Sequence, residues 1–506
     1  MKAEHLVTPP NPSKILAAYE TATPQVYWEG RIADVETPIS AMLKLAADDP
    51  YSFLLESVEG GKIRGRYSFI GLNPDLIWRC FDEKAEVCRS PRVDKPMIFE
   101  SCDEDSLTSL RSLLEESEIE MPSGMPPMAA GLVGYMSYDM VRLMEDLPDH
   151  NRDTLGLPSG IFVRPTVIAV FDNIDDTITV VTPIRPTANI SGKVALEEAK
   201  ARVALIWQNL AAPSHPPRIL EENLEACDFK ANMSKTEFCK MVKKAQEYIR
   251  AGDAFQVVVS QRFQASFDLP PLELYRALRR LNPSPYLFLL NFVDFSVVGS
   301  SPEILVRLRD DTVTIRPIAG TRPRGKSPAE DKALKDELLA DPKELAEHLM
   351  LLDLGRNDVG RVTKTGSVTV TEKFNVEYYS HVMHIVSNVI GIIKKEYDAL
   401  SALVAGFPAG TVSGAPKIRA MEIIDELETE KRGIYAGCIG YFGADGDMDT
   451  CIALRTAVVK DGTVYVQAGG GVVADSNPEL EYEESCNKAR AIIRAVQAAK
   501  NINDTV

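Results

Sequence analysis

The sequence predicts an α+β fold. Short segments in which apolar and polar residues alternate, TITVVTP from Thr177 and TVTIRP from Thr312, are typical of half-buried strands. The segments KTEFCKMVKKAQEYIRAG from Lys235 and PKIRAMEIIDELE from Pro416 instead have the apolar spacing of helices. Because strands and helices do not alternate in a regular βαβ order, a parallel α/β sheet is disfavoured.

Composition indicates a water-soluble globular protein. Of the 506 residues, 45% are hydrophobic and 25% charged, and no apolar run approaches the ~20 residues of a membrane-spanning helix. The start, MKAEHLVTPPNPSK, lacks the features of a secretory signal, so we expect a cytoplasmic location. The net charge of −17 disfavours nucleic acid and anionic membranes as partners. The eight cysteines form no C-x-x-C pair, which disfavours structural zinc and a disulfide framework.

One compositional break divides the chain. The proline-rich segment AAPSHPP, Ala211 to Pro217, follows the predicted helix SGKVALEEAKARVALIWQNL. We therefore expect an N-terminal domain over residues 1–215 and a C-terminal domain over residues 216–506.

Two segments match ligand-binding motifs but lack residues that those motifs require. The octapeptide GTRPRGKS from Gly320 fits the phosphate-loop pattern, but Pro323 and Pro328 remove N–H donors that such a loop and its helix require. The segment DGDMDTC from Asp445 has Thr450 where a calcium loop needs glycine, so we expect a hairpin turn there.

Two predicted helices carry carboxylates on one face. The first follows Asp341 in DPKELAEHLMLLDLGRND, and the second follows Asn477 in NPELEYEESCNKARAIIRAV. The apolar turn LMLLDL predicts that the first helix is buried. The polar faces contain Glu344, Glu347 and His348 in the first helix, and Glu481, Glu484 and Lys488 in the second.

Two interpretations of these acidic residues stay open. They can be solvated side chains that favour the helix macrodipole. Alternatively, one carboxylate from each helix, together with waters and an anionic substrate, completes an oxygen shell for Mg²⁺.

Glycine-rich loops are a second candidate binding element. AGTVSGAPKIRAM leads into a helix, and QAGGGVVADSNP places Gly469, Gly470 and Gly471 in a row. Both segments can present backbone N–H groups to a carboxylate, although each is also compatible with a tight turn. With Tyr435 and Arg455, which singly are more often structural, they suggest a site for a small, multiply anionic molecule.

Long motifs in the chain resemble those of the chorismate-utilising enzymes, and among them the anthranilate synthase component I family. The motifs are PIAGTRPRG, KELAEHLMLLDLGRND, FPAGTVSGAPKIRAMEII, GIYAGCIGYFG, DTCIALRT and NPELEYEESCNKARA, preceded by LLES, GRYSFIG and GLVGYMSYD. The resemblance covers nearly the whole chain. It implies antiparallel sheets sandwiched by helices, with a smaller N-terminal regulatory region packed on the C-terminal catalytic region.

The resemblance also implies a reaction and its residues. Mg²⁺ would hold the chorismate ring carboxylate while ammonia adds at C2 and the C4 hydroxyl leaves; loss of pyruvate then gives anthranilate. The implied metal ligands are Glu347 and Glu484; the implied chorismate-binding residues are Gly320, Thr321, Tyr435, Arg455, Gly469, Gly470 and Gly471. His384 would be a candidate acid for the departing hydroxyl, and Thr411 a positioning group.

Two positions distinguish this chain from related branches of the family. Relatives that use a lysine nucleophile have that lysine at the position of Ala319, and alanine cannot attack C2. Relatives that add water have a basic lysine where Gln256 stands. Free ammonia is therefore the expected nucleophile, although aminodeoxychorismate or aminodeoxyisochorismate synthase and a non-catalytic tryptophan-sensing subunit remain alternatives.

Partners follow from the same resemblance. The 506 residues contain no G-x-C-x-G segment typical of a glutamine amidotransferase nucleophile, so a separate glutaminase subunit, resembling component II, is implied in a heterotetramer. L-Tryptophan would be a feedback inhibitor of this first committed step of its biosynthesis. The implied tryptophan-binding residues are Glu56, Ser57, Pro285, Tyr286 and Leu287.

Overall fold

The computed structural model describes most of the chain: residues 8–46, 49–59, 63–91, 95–213, 219–220, 228–379, 382–500 and 502–503. The expected domain boundary between residues 215 and 216 lies outside the described residues. Within the described ranges, no helix is both long and apolar enough to cross a membrane.

Twelve α-helices lie in the described part of the chain. They are α1 (Pro12–Glu20), α2 (Pro38–Leu45), α3 (Ser106–Glu116), α4 (Gly192–Leu210), α5 (Lys235–Ala251), α6 (Pro271–Leu281), α7 (Pro328–Ala340), α8 (Pro342–Val362), α9 (Ala399–Gly406), α10 (Gly410–Ser413), α11 (Lys417–Leu427) and α12 (Pro478–Lys500). A 3₁₀-helix spans Tyr138–Leu143.

The strands of the first half are β1 (Gln25–Ile32), β2 (Phe53–Glu56), β3 (Val58–Glu59), β4 (Ile63–Arg64), β5 (Tyr67–Phe81), β6 (Lys84–Arg89), β7 (Glu100–Asp105), β8 (Gly131–Met136), β9 (Gly160–Asp172), β10 (Thr177–Ile184) and β11 (Ile219–Leu220). Those of the second half are β12 (Lys230–Ala231), β13 (Gln256–Ser266), β14 (Tyr286–Asn291), β15 (Phe295–Ser301), β16 (Ile304–Arg309), β17 (Thr312–Ile315), β18 (Ile318–Pro323), β19 (Thr369–Tyr378), β20 (Val382–Ile392), β21 (Gly414–Ala415), β22 (Cys438–Gly443), β23 (Met448–Ile452), β24 (Thr456–Lys460), β25 (Thr463–Val472) and β26 (Ile502–Asn503).

Two antiparallel sheets share the long strands β5 and β9. Sheet I has the order β1-β10-β9-β5-β2-β14-β15-β24-β25-β13, with β12 and β21 on the far edge of β13. Sheet II has the order β7-β6-β5-β9-β8-β22-β23-β16-β17-β20-β19, and β18 continues the line of β17 along β20. Both sheets therefore interleave strands from before and after the expected domain boundary.

The two sheets pack face to face, and helices cover their outer faces. The inner core contains Tyr135 of sheet II against Phe292 and Phe295 of sheet I, with ring centroids 5.9 and 6.2 Å apart. Side chains from α2, α4, α6 and α12 cover sheet I, and side chains from α3, α8, α9 and α11 cover sheet II. The expected α+β fold with antiparallel sheets between helices is confirmed.

Local sequence rules placed the main elements correctly. The side chain of Asp341 accepts from Lys343 N at 3.0 Å at the start of α8, and that of Asn477 accepts from Glu479 N at 2.9 Å at the start of α12. The expected burial of α8 is only partly met, because Leu351 and Leu352 are buried whereas Leu349 is 44% exposed.

The octapeptide from Gly320 has no phosphate-loop geometry. Its first residues lie in the antiparallel strand β18, and the Gly325 and Lys326 N–H groups donate to Asp331 and Glu330 in the first turn of α7. Acidic side chains therefore occupy the donors that a phosphate would need. The Asp445 segment is a hairpin turn between β22 and β23, as expected.

Candidate active site

The candidate site lies where one edge of each sheet meets three helices. Strands β13 and β25 of sheet I contact α10 and α12, and strands β18 and β20 of sheet II contact α8. The Gln256 Nε2 group at the start of β13 donates to Glu347 Oε1 on α8 at 2.9 Å. This bond joins the two groups of elements, which are far apart in the chain.

Three consecutive glycines let other groups approach the β25 backbone. A Cβ atom at Gly469 would lie 2.3 Å from the Val259 carbonyl oxygen, and one at Gly471 would lie 2.4 Å from Gln256 Nε2. A Cβ at Gly470 would lie 3.0 Å from Glu481 Oε2. Strand β13 pairs along one edge of β25. On the other edge, β24 pairs with β25 only up to Val466, so that edge has no partner strand at Gly469–Gly471 within the described residues.

The predicted metal ligands come from α8 and α12. The half-buried Glu347 has its pKa raised by burial, and the nearby charges of Glu344 and Glu484 add to the rise. Glu484 is exposed and forms an ion pair with Lys488 at 2.8 Å, while Lys488 also donates to the Gly469 carbonyl at 3.0 Å. Burial, with the charge of Glu484, also raises the pKa of Glu481. Across the described ranges, no three His, Cys, Asp or Glu side chains are grouped closely enough to hold a metal ion by themselves.

His384, Thr321 and Gly320 meet across the β18–β20 pair. The imidazole Nδ1 lies 3.0 Å from Thr321 Oγ1 and 3.1 Å from the Gly320 carbonyl oxygen, to which it donates in the tautomer that this geometry favours. Gly320 has φ +72°, the left-handed region in which glycine is not strained. Burial and the charge of Arg455 lower the pKa of His384 to about 4, so the ring is neutral near pH 7.

Arg455 is the unusual residue of the site. It has φ +48° without being glycine, in the link between β23 and β24, and its carbonyl accepts from Ser300 N at 3.1 Å. Its guanidinium is half-buried and, within the part of the chain that the structure describes, makes no hydrogen bond or salt bridge. Burial lowers its pKa, which Tyr379 and Glu303 partly offset. A desolvated, unpaired guanidinium on a strained residue favours an anionic ligand.

Tyr435 adds a phenol beside the glycine strand. It is 7% exposed, and burial raises its pKa to about 12, although the charge of Arg432 and the Gly469 N–H group moderate the rise. The hydroxyl is therefore a neutral hydrogen-bonding group at physiological pH.

Sequence reasoning missed Glu303. This carboxyl is 6% exposed, and its Oε1 accepts from Thr411 Oγ1 at 3.2 Å. Burial raises its pKa to about 8, against the hydrogen bonds from Thr411 and the Ile318 N–H group and the nearby charges of Lys488 and Arg455. A signal was present, because Glu303 stands between the apolar strands FSVVGSS and ILVRLR, where a carboxylate has little access to water.

The residues predicted to bind tryptophan lie at the β2–β14 pair. Glu56 and Leu287 are opposite each other in the register. The Glu56 carboxylate accepts from Arg279 Nε at 2.6 Å and from Tyr275 Oη at 2.6 Å. The Tyr286 hydroxyl donates to Asp449 at 2.8 Å between the sheets, so Tyr286 and Leu287 point to opposite faces. Ser57 and Pro285 are adjacent in the chain to Glu56 and Tyr286, respectively.

Residues 53–494 match the family described as chorismate binding enzyme. The chain belongs to this family. The match to chorismate binding enzymes agrees with the resemblance seen in the motifs.

Similar proteins extend over nearly the whole chain. Anthranilate synthase component 1 from Cereibacter sphaeroides is 56% identical over 475 residues, which is 94% of this chain and 95% of that protein. Anthranilate synthase component 1 from Aquifex aeolicus is 46% identical over 470 residues, 93% of this chain and 94% of that protein.

Solved structures agree with the fold. The crystal structure of anthranilate synthase component I from Streptococcus pneumoniae TIGR4 is 39% identical, has a TM-score of 0.76, and covers 92% of this chain and 98% of that chain. The menaquinone-specific isochorismate synthase from Escherichia coli, at 20% identity and a TM-score of 0.70, covers 96% of this chain and 98% of that chain and shares the fold.

Proposed function

We propose that this chain is the component 1 subunit of an anthranilate synthase and converts chorismate and ammonia into anthranilate, pyruvate and water. The unpaired guanidinium of Arg455 is the observation that carries the proposal, because it needs an anion to complete it. The identities of 46–56% to curated component 1 proteins support the same activity.

Chorismate would bind through its two carboxylates. Arg455 would pair with one of them, with the Tyr435 hydroxyl beside it. The Gly320–Thr321 segment and the unpaired edge of Gly469–Gly471 would contribute backbone and hydroxyl donors. The glycines are required there because Cβ atoms would collide with the neighbouring strand and with Gln256.

Mg²⁺ fits the carboxylates of α8 and α12. The burial and mutual repulsion that raise the pKa of Glu347 would be relieved by a divalent cation. Two protein carboxylates, a substrate carboxylate and waters form the mixed oxygen shell that Mg²⁺ prefers. When bound, the ion would orient the ring carboxylate and stabilise negative charge on it. Glu347 and Glu484 would hold the ion in place of their present partners, the Gln256 amide and the Lys488 ammonium group.

Glu303 is the best placed acid for the departing C4 hydroxyl. With its pKa raised to about 8, it is protonated near pH 7, and Thr411 fixes its orientation. His384 is neutral there and donates through Nδ1 to Gly320, so its free Nε2 suits a hydrogen-bond acceptor or base. We therefore favour Glu303 over His384 for the acid role that the resemblance assigned to His384.

Ammonia is the proposed nucleophile. Gln256 supplies an amide where a basic lysine would activate water, and Ala319 in β18 cannot form a covalent bond with C2. The ammonia would come from a separate glutaminase subunit in a cytoplasmic heterotetramer.

Regulation by tryptophan is proposed at the β2–β14 pair. Residues 1–215 would form the regulatory and glutaminase-docking region, and residues 216–506 the chorismate-binding region. The Glu56 carboxylate would pair with the amino group of tryptophan, and Leu287 lies opposite Glu56 in the strand register.

The test is to incubate the purified chain with chorismate, Mg²⁺ and an ammonium salt and to follow anthranilate fluorescence. Anthranilate that depends on Mg²⁺ is the expected product. Absence of any product would contradict the proposed activity, whereas aminodeoxychorismate would place the chain in a sister branch of the family.

A further inference from the structure

Glu303 and Thr411, which share a hydrogen bond, both line a small cavity. Its volume is about 30 Å³, and its walls include Ile315 and Pro317 at the edge of sheet II and Gly355 and Asp358 on α8. One water needs roughly 10–15 Å³ of such space, so the cavity has room for about two.

Two carboxyl groups line the cavity, those of Glu303 and Asp358. Glu303 interacts with Thr411, Lys488 and Arg455, and it belongs to the proposed active site. Asp358 is 4% exposed, and its Oδ2 accepts from Lys417 Nζ at 2.9 Å.

The second oxygen of Asp358 lacks a partner. Among the described residues, Asp358 Oδ1 is buried without a hydrogen bond. Lys417 and Arg361 are the cations that act on this carboxyl. A buried carboxylate oxygen is costly without a donor, and water is the donor that fits a cavity of this size.

We propose that two waters in this cavity connect Asp358 to Glu303 and return a proton to Glu303 in each turnover. Asp358 is a positioning residue that holds the first water. Lys417, whose side chain is 13% exposed against 5% for that of Asp358, holds the other oxygen of Asp358. The inference rests on the proposed function, since Glu303 loses a proton only if it acts as the acid.

Protons and electrons balance over the loss of the C4 hydroxyl and the reprotonation of Glu303. The ammonia lone pair forms the C2–N bond and the ring double bonds shift toward C4. The Glu303 proton moves to the C4 oxygen as the C4–O bond breaks, and the electron pair of that bond leaves with the water. Glu303 then takes a proton from the neighbouring cavity water, which is replenished from solvent through the second water. The amine formed at C2 releases one proton to solvent, so no net proton is consumed.

Two glycines of the same helix provide a matched test. A methyl group at Gly355 would lie 3.3 Å from Pro317 and 3.4 Å from Ile315, both cavity walls, so Gly355→Ala fills the water space without touching a charged group. At the exposed Gly360, the nearest atom to such a methyl group is a Val368 carbon at 4.0 Å, so Gly360→Ala is the control. Both changes favour the helix, so both variants are expected to fold.

We expect Gly355→Ala to lower kcat on the order of tenfold, with an enlarged solvent isotope effect and an unchanged KM for chorismate, because proton return becomes slow. Gly360→Ala should match the wild-type protein. Equal kcat and isotope effect in both variants would overturn the water path while leaving the proposed activity intact.

A second measurement does not depend on turnover. A high-resolution crystal structure should show a water bonded to Asp358 Oδ1 in the wild-type protein and none in Gly355→Ala. An empty wild-type cavity would overturn the proposal. Failure of the wild-type protein to form anthranilate would instead overturn the proposed function.

Discussion

Replacing Glu303 with glutamine separates the acid proton from the shape of the side chain. The glutamine oxygen can still accept the 3.2 Å bond from Thr411, so the packing around residue 303 should be retained. What is lost is the proton that the buried carboxyl carries near neutral pH. Glu303→Asp is the matched variant, because it keeps an acid but shortens it by one methylene.

The raised pKa sets the expected magnitude. With a pKa of about 8, roughly nine in ten Glu303 side chains are protonated at pH 7 and about one in ten at pH 9. The kcat of the wild-type protein should therefore fall about tenfold over this interval. Glu303→Gln should lower kcat by about 10²–10⁴-fold, the usual contribution of a general acid, and the high-pH decline should disappear.

The pH dependence of folding stability is an independent test of the raised Glu303 pKa. Because the folded pKa lies above the unfolded value, the folded protein binds more protons between about pH 4.5 and 8, and this carboxyl destabilises the fold as pH rises through that window. Glutamine cannot ionise, so the Tm of Glu303→Gln should rise relative to wild type as pH increases from 5 to 8.

The assay follows anthranilate fluorescence at a fixed concentration of free ammonia, since the ammonia fraction itself changes with pH. Scanning calorimetry over the same pH range provides the Tm values. A Glu303→Gln variant with wild-type kcat, or with an unchanged high-pH decline, would refute the acid assignment. Partial activity in Glu303→Asp would support it.

Three further outcomes test other parts of the proposal. Glu347→Gln and Glu484→Gln should each abolish Mg²⁺-dependent turnover while tryptophan binding, measured by fluorescence titration, persists; a fully active variant would contradict the metal assignment. Glu56→Gln should raise the tryptophan inhibition constant by about 10-fold or more, as for a lost charged hydrogen bond, and an unchanged constant would remove Glu56 from the effector site. Gln256→Lys places an amine near Glu347 and should yield some isochorismate, detectable by chromatography; anthranilate as the sole product would show that a base at this position is insufficient.

Helix positions were predictable because their determinants are local. Asp341 and Asn477 cap α8 and α12 through side chains that lie within three residues of the N–H groups they accept from. The exposure of Leu349 was not predictable, since an apolar turn does not show which of its sides the rest of the fold covers.

The assembly of the site could not be predicted from local sequence patterns. Thr321 and His384 are 63 positions apart and meet only because β18 and β20 pair in one register. The sharing of β5 and β9 between two sheets is equally non-local. Motif resemblance named Arg455, but its unpaired state emerges only when strands from both halves are in place. The burial of Glu303, in contrast, was signalled by the apolar strands on either side of it.

The guanidinium of Arg455 has no hydrogen-bond or salt-bridge partner among the described residues. Arg455 influences Glu303 electrostatically but forms no salt bridge with it there, and a protonated Glu303 carries no charge to pair near pH 7. The carboxylates of α8 and α12 have an amide and a partly exposed lysine as partners. An unpaired, desolvated guanidinium favours a ligand that brings anionic oxygens to it, and a divalent cation would likewise bring charge to the carboxylates. Under the proposed function, chorismate would supply the anionic oxygens and Mg²⁺ the positive charge. We therefore expect that replacing Arg455 weakens Mg²⁺ binding and that replacing Glu347 weakens chorismate binding.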